Sequence, residues 1–358
     1  MIAEKYLEEM KAIQKSFLQF LDEDNEENFN NLKKLIEGFK ILENKQEIKS
    51  FLYLISNIAE NHHRGPNFFK KIERVLQHFK KDIINNFLNF EIFNIFSQNK
   101  RILLFLIEGK ILTVDEYVAK KMTRIIGYDF YFWPEISIFK NKRWFYDFLI
   151  KQHENQNRDK FYELRKLGEN HNLICQLIRE DSIDEFIRYV NQNVVKLDSE
   201  IPESIYETNN FIKGPYSHVS LIKYAAFCGS IQIFNYLKIN GVELNESLWN
   251  YAIHSHNSEI IRILEEQDFK SSVSFKKLIK TSIKCHHNDI ANYLIENYLP
   301  DINLLDFFKK SIQFYNFEFI QDKFITESSL HFLCLFDYYI LVEFLLKNKD
   351  VDVNKKLI

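Results

Sequence analysis

Short apolar blocks with helical spacing come in pairs along the carboxy-terminal half of this chain. From Ser220 to Val242, Leu221, Ile222, Ala225 and Ala226 form one block and Ile233, Phe234 and Leu237 a second, with Gly229-Ser230 between them. Apolar positions three and four apart share one helix face, so the segment predicts two short helices meeting at a tight turn. The pattern recurs at Ser247–Leu264, Lys277–Leu294, Asp306–Ile320 and Ser328–Leu346. In register with Gly229, the turn position falls at nearly even intervals on His256, His286 and Tyr315, and on Asp337 in the last unit. A helix that stops so abruptly needs a left-handed residue at its end. Glycine adopts that conformation without strain, and histidine and aspartate tolerate it better than most residues. Ser230, Asn257 and Asn316 follow directly and suit the N-cap of the second helix. Gln232, Glu259, Asp289 and Glu318 then share one column in its first turn, where the acids complement the helix dipole.

Upstream, Asn172–Val190 reads as a degenerate opening unit, with Ser182 in the cap column and Phe186 in an apolar one. The intervening Leu197–Tyr216, with Pro202, Gly214 and Pro215, predicts a long insertion or exposed loop. Across 1–165, helical spacing predicts helices near Glu4–Leu21, Phe29–Leu42, Ile48–Glu60, Asn67–Phe79 and Ile83–Phe96. Glu91–Gly109 reads as two helices across a polar turn. The expectation is an all-α protein. An α-helical array, in which worn repeats are one reading, spans 1–165 and a repeat domain spans 166–358. Its units lie near 172–197, 220–244, 247–269, 277–299, 306–325 and 328–354.

The order of residues in Ser220–Val242 resembles the ankyrin signature, in which T-P-L-H-x-A-A is followed by G-H-x-x-I-V and L-L-x-x-G. The last unit keeps Leu330-His331 of that signature and is followed by V-D-V-N at Val351–Asn354. The chain as a whole resembles the ankyrin-repeat proteins expanded in some unicellular eukaryotes, which carry a helical amino-terminal domain of unknown function. The resemblance implies an α-solenoid whose ankyrin repeats have shortened hairpin fingers, because the intervals fall below the usual period of about 33 residues. It implies a noncatalytic protein-protein interaction scaffold that takes a peptide or protein on its concave face, and it carries over no catalytic residues. The two residues before each turn position commonly face that groove. Here the pairs are Phe227-Cys228, His254-Ser255, Lys284-Cys285, Gln313-Phe314 and Leu335-Phe336. Aromatic and small polar residues together suit a peptide or helix better than a phosphate, although in shortened units some of these side chains could pack inward. No polar cap follows the last unit, so an apolar end face around Phe344, Leu345 and Leu346 is expected, covered by self-association or by residues beyond this chain.

Composition adds limits. Only 8 Gly and 5 Pro in 358 residues leave few interruptions, which favours helices. The net charge of −3 gives no global electrostatic case for nucleic acid or an anionic membrane. Cys175, Cys228, Cys285 and Cys334 are dispersed with no C-x-x-C spacing, which suits a reducing compartment, in the cytoplasm or the nucleus. No apolar run is long enough to span a bilayer.

Candidate chemistry is sparse, and no cofactor or enzyme activity is expected. His254, His256, Cys285, His286 and His287 cluster in sequence, but their spacing matches no compact ligand motif, and His256 and His286 already serve as helix-ending residues. No metal site is therefore expected. His62-His63 precedes Arg64-Gly65-Pro66 and reads as a solvated loop. Tyr128 to Phe148 interleaves aromatic residues with Lys140, Lys142 and Arg143, the pattern of a stacking surface for RNA or DNA. Asp129, Glu135 and Asp147 dilute that field, and burial of the aromatic residues is the favoured use. The alternative function is accordingly a helical-repeat protein associating with RNA or DNA through 128–148.

Overall fold

The structure is a computed structural model that describes residues 2–23, 25–142, 158–213, 218–267 and 273–348. These residues form 22 α-helices and no strand; a single antiparallel bridge joins Glu200 and Ser220. The helices pack in neighbouring pairs. No helix among the described residues is long and apolar enough to cross a membrane. The chain divides into two compact units, residues 1–72 with 273–358 and residues 73–272. The boundary suggested by chain order, at 165/166, is therefore not where the packing divides. The first helices belong with the last ones.

The discontinuous unit begins with α1 (Ile2–Asp22), α2 (Glu26–Gly38), α3 (Lys45–Asn61) and the start of α4 (Phe68–His78). The continuous unit contains the rest of α4, then α5 (Lys80–Asn86), α6 (Asn89–Phe96), α7 (Lys100–Glu108), α8 (Glu116–Met122), α9 (Tyr128–Tyr131), α10 (Trp133–Ile136) and α11 (Arg158–Leu167). It ends with α12 (Leu173–Arg179), α13 (Ile183–Gln192), α14 (Leu221–Cys228), α15 (Ile231–Ile239), α16 (Leu248–Ser255) and α17 (Ser258–Glu265). The chain then returns to the first unit with α18 (Phe275–Cys285), α19 (Asn288–Tyr298), α20 (Leu305–Phe314), α21 (Leu330–Leu335) and α22 (Tyr339–Asn348). The expected Ile83–Phe96 helix is two helices, broken where Phe87 and Leu88 take extended backbone. Asn99 caps α7 by accepting from Ile102 N at 3.0 Å, which makes the polar turn read from the sequence.

The turn register holds throughout. Gly229, His256, His286, Tyr315 and Asp337 all have left-handed backbone, with φ between 53° and 75°, and Asp181 does the same in the degenerate unit at φ 48°. The polar residue after the turn often bonds to an adjacent helix pair rather than only to its own helix. In the continuous unit, Ser230 Oγ donates to Ile178 O, and Asn257 Nδ2 donates to Gly229 O at 3.0 Å. Asp181 accepts from Gln232 N and Ile233 N, both at 3.0 Å, capping α15 from the preceding pair. In the discontinuous unit, Asn316 Nδ2 donates to Ile283 O at 2.9 Å. Orphan groups at helix ends are thereby satisfied by the neighbour, which fixes the spacing of successive pairs.

The structure bears on two expectations in the continuous unit. The segment 197–213 is only partly an exposed loop: Asp198, Glu200, Pro202, Glu203 and Ile205 are exposed, while much of its later part is buried. Tyr206, Glu207, Thr208, Asn209 and Ile212 are buried, and Glu207 accepts from Asn170 N at 3.1 Å and Asn209 N at 2.8 Å. Gly214 and Pro215 lie outside the described residues. Among the described residues of the aromatic stretch, Tyr128, Tyr131 and Phe132 are buried and Phe130, Trp133 and Phe139 half-buried, with Tyr128 Oη donating to Ser97 O and Tyr131 Oη to Arg165 O. Arg143, Trp144, Phe145, Tyr146, Asp147 and Phe148 lie outside the described residues.

In the discontinuous unit, α1 and α3 pack against α22, and α3 also packs against α18. This corrects the expected open end: Leu345 is fully buried and Phe344 partly so, while Leu346 remains exposed. The helices α1 and α3 cover part of this end. Val351–Asn354 lies outside the described residues. Along α1, Met10, Ile13, Phe17 and Phe20 are fully buried, each burial being worth about 1.5–3 kcal/mol. Gln14, on the same helix, donates from Nε2 to Asn316 Oδ1 at 3.0 Å and accepts from Phe317 N at 2.8 Å. The claim on Phe317 N matters locally. The expected second helix of this unit is instead a series of 3-10 turns, Phe317–Phe319, Asp322–Phe324 and Glu327–Ser329, with Phe317, Phe319 and Ile320 turned into the core.

Asn316→Ala removes the acceptor of Gln14 Nε2 and one of the two donors to Ile283 O at a fully buried position. We expect it to destabilise the chain by about 2–3 kcal/mol, read as a lower urea midpoint.

Candidate functional site

Two groups of residues in the discontinuous unit carry chemistry beyond packing. One is a histidine cluster. His62 is the C-cap of α3, its own N–H bonded to Ile58 O at 2.9 Å, and His63 follows. His287 is the N-cap of α19, directly after the left-handed His286 that ends α18. Packing of α3 against α18 brings these two ends together. The ring centroids of His62 lie 4.3 Å from His63 and 4.7 Å from His287, and those of His63 and His287 lie 5.2 Å apart. One nitrogen from each of the three rings falls within 4.8 Å of the others, so the trio could hold a metal ion.

The carboxylate of Asp22, the last residue of α1, lies beside two of these rings. Its Oδ1 is 3.8 Å from His62 Nε2 and 3.7 Å from His63 Nε2. Lys71 Nζ donates to Leu21 O and so fastens the helix end that carries Asp22. His62 Nδ1 lies 2.8 Å from Cys285 O, and because a carbonyl only accepts, that nitrogen carries the proton. His62 is 3% exposed, and its Nε2 is buried with no hydrogen-bond partner.

The second group is a lysine face on α18 and α20. Lys280 and Lys284 are one turn apart on α18, while Lys309 and Lys310 are adjacent on α20, which packs beside it. Phe314 lies between them, its ring centroid 5.7 Å from Lys284 Nζ and 4.6 Å from Lys310 Nζ. Lys310 Nζ also donates to Gln313 Oε1 at 3.1 Å. Partial burial, then the charges of Lys284, Lys280 and Lys309, pull the Lys310 ammonium below its ordinary pKa of 10.5. At neutral pH the face is still cationic, and an anion laid on it would relieve that repulsion.

The groove pairs read from the sequence are treated unequally. Lys284, Gln313 and Phe314 come together on the lysine face. In the continuous unit, Phe227 and His254 stack with centroids 4.2 Å apart, but Phe211 of the chain's own 197–213 segment lies over both, at 5.8 Å and 5.5 Å. Cys228 and Ser255 are half-buried. Cys285 is buried and gives its carbonyl to His62; Leu335 is exposed, and Phe336 gives its carbonyl to the Tyr315 hydroxyl. His62, expected in a solvated loop, is buried because α3 ends against α18. The cluster His62, His63, His287 and Asp22 was not assembled from sequence, although two His-His doublets among only 11 histidines are a visible signal. Lys280, Lys309 and Lys310 were likewise missed, and their signal is a repeat of lysines at equivalent places in two first helices.

No protein-family model matches this chain, and neither does any curated protein or solved structure. The residues themselves carry the argument from here.

Burial, with the electrostatic effect of the neighbouring His62 second, lowers the His286 pKa from 6.5 to about 3. Between those values the unfolded chain binds a proton that the folded chain refuses. Stability therefore drops as pH is lowered through that window, by about 1.4 kcal/mol per unit. His286→Gln should flatten the fall in urea stability between pH 6 and 4 by close to one proton's worth. Thiol labelling gives a separate check. Burial pushes the thiols of Cys175 and Cys285 up to about 12, whereas Cys334 is exposed. Maleimide under native conditions should modify Cys334 first and leave Cys175 and Cys285 protected, as read by peptide mass spectrometry.

Proposed function

We propose that the chain is a noncatalytic interaction scaffold of ankyrin-like helical repeats, and that it takes an acidic peptide segment along the face of α18 and α20. The single observation that carries this reading is the Phe314 ring flanked by Lys284 and Lys310, with Lys280 and Lys309 close enough for their charges to act on Lys310. Short helix pairs with a left-handed residue at each turn support the repeat reading, because such pairs bury their apolar faces only against neighbours. The lysine face joins separated cationic groups to an aromatic surface. Carboxylates spaced along a peptide can pair with the lysines while an apolar side chain lies on Phe314.

A peptide fits better than a nucleic acid strand for two reasons. Of the described aromatic residues that suggested base stacking, Tyr128, Tyr131 and Phe132 are buried in the core and Phe130, Trp133 and Phe139 are half-buried. The chain's net charge of −3 offers no wider field to hold a polyanion once it leaves the lysines.

Fluorescence anisotropy with an acidic, aromatic-containing peptide should show binding that weakens as salt rises. Lys284→Glu and Lys310→Glu should each weaken it at least about tenfold, since each replaces an attraction with a repulsion. Equal binding of the charge-reversed proteins, or tighter binding of single-stranded RNA than of any acidic peptide, would overturn the proposal.

A further inference from the structure

We propose that His62, His63, His287 and Asp22 form a zinc site that clips the end of α1, the end of α3 and the α18–α19 turn together. The inference stands independently of the peptide-binding face.

The chemistry of the donors points to the metal. Three imidazole nitrogens and one carboxylate oxygen are a borderline set that suits Zn2+, and they exclude the all-oxygen shells preferred by Mg2+ and Ca2+. With bonds of about 2.0 Å, a tetrahedral site needs its ligand atoms about 3.3–3.4 Å apart. Asp22 Oδ1 already stands 3.8 and 3.7 Å from two of the imidazole nitrogens, and the three histidine donors lie within 4.8 Å. Closing the remaining gap takes side-chain rotation. Asp22 and His63 are not tightly enclosed and have room for it, their side chains being 48% and 23% exposed.

His62 provides the decisive detail. Its Nδ1 proton is committed to Cys285 O, which leaves Nε2 as a bare lone pair. That nitrogen is buried, stands 3.8 Å from Asp22 Oδ1 and accepts no hydrogen bond. A buried acceptor without a donor is costly, and a cation bound there removes the cost. The arrangement also matches the usual support of a metal-bound histidine, in which the second ring nitrogen donates to a backbone carbonyl and fixes the ring's orientation and tautomer.

The site would be structural. Four protein ligands fill a tetrahedral zinc and leave no open position for substrate. The ligands come from both sequence segments of the discontinuous unit, with the whole continuous unit lying between His63 and His287 in the chain. A bond across so long a loop restricts the unfolded chain and ties the covering helices to the repeats they cover.

The test uses the full chain, stripped with a chelator and titrated with Zn2+ against a chromophoric competitor, and separately with Co2+. We expect one zinc per chain, the intense visible absorption of tetrahedral cobalt, and a melting temperature raised by about 5–10 °C when zinc is a hundredfold above its Kd. Asp22→Asn, a change at an exposed helix end that the fold should bear, should weaken zinc at least tenfold. His287→Gln should weaken it at least a hundredfold, and His331→Gln, on exposed α21, should change nothing. If His287→Gln fails to fold, the wild-type stoichiometry and cobalt spectrum together with Asp22→Asn decide the matter. A folded wild-type chain that binds neither ion, or zinc binding unchanged by Asp22→Asn and His287→Gln, would overturn the site and leave the cluster as packed imidazoles beside a carboxylate.

Discussion

An array of short helix pairs ends in an apolar face, and that face must be covered. In the discontinuous unit α1 and α3 do this, and the buried contact includes a polar pair. Gln14 of α1 bonds both to Asn316 and to Phe317 N, while Asn316 reaches on to Ile283 O and to Asn288. Apolar burial along Met10, Ile13, Phe17 and Phe20 supplies the attraction but fits many registers. The amide pair admits only one, because a slip by one residue would strand buried donors and acceptors on both sides. Around it, Tyr315 stacks between Tyr53 and Tyr338, so α3 joins the same layer.

Both candidate sites follow from this arrangement. Seating α3 against α18 places the chain just after α3 beside the turn between α18 and α19, and the two histidine doublets meet there. His286 ends α18 in left-handed backbone with its ring buried, which turns His287 to the start of α19 and toward His62. The lysine face forms on a different surface of the same helices. There α18 and α20 lie side by side and present equivalent columns, so lysines that are far apart in sequence add their fields. The short helix pairs thus serve twice, once by their ends and once by their aligned outer positions.

The sequence alone settled the local rules. Spacing of apolar residues located the helices, and the turn register found the left-handed residues, including Tyr315, which has no intrinsic preference for that conformation. Asn257 and Asn316 could be read as caps because a short amide side chain beside an apolar run has few other uses. The candidate sites were far less legible. Lys284, Gln313 and Phe314 appeared among groove positions, but the lysines that complete their face did not. His62 was read as solvated because nothing in its neighbourhood names a partner that lies beyond the whole continuous unit.

Tertiary structure decided which segments meet. Apolar patterning says that a face is buried and not against what, since hydrophobic attraction is nondirectional. Chain order suggested a break at 165/166, whereas packing joins residues 1–72 to 273–358. The end face at Leu345 looked open only because its cover, α1 and α3, stands at the opposite end of the sequence. The same holds for Phe211, whose stacking on Phe227 and His254 depends on a fold-back that no local preference specifies. Helices and turns are encoded by residues within a few positions of one another, so one sequence determines them. Covers, cages and charged faces arise from docking, where the partner is chosen by shape and by the few polar groups that fit only one way.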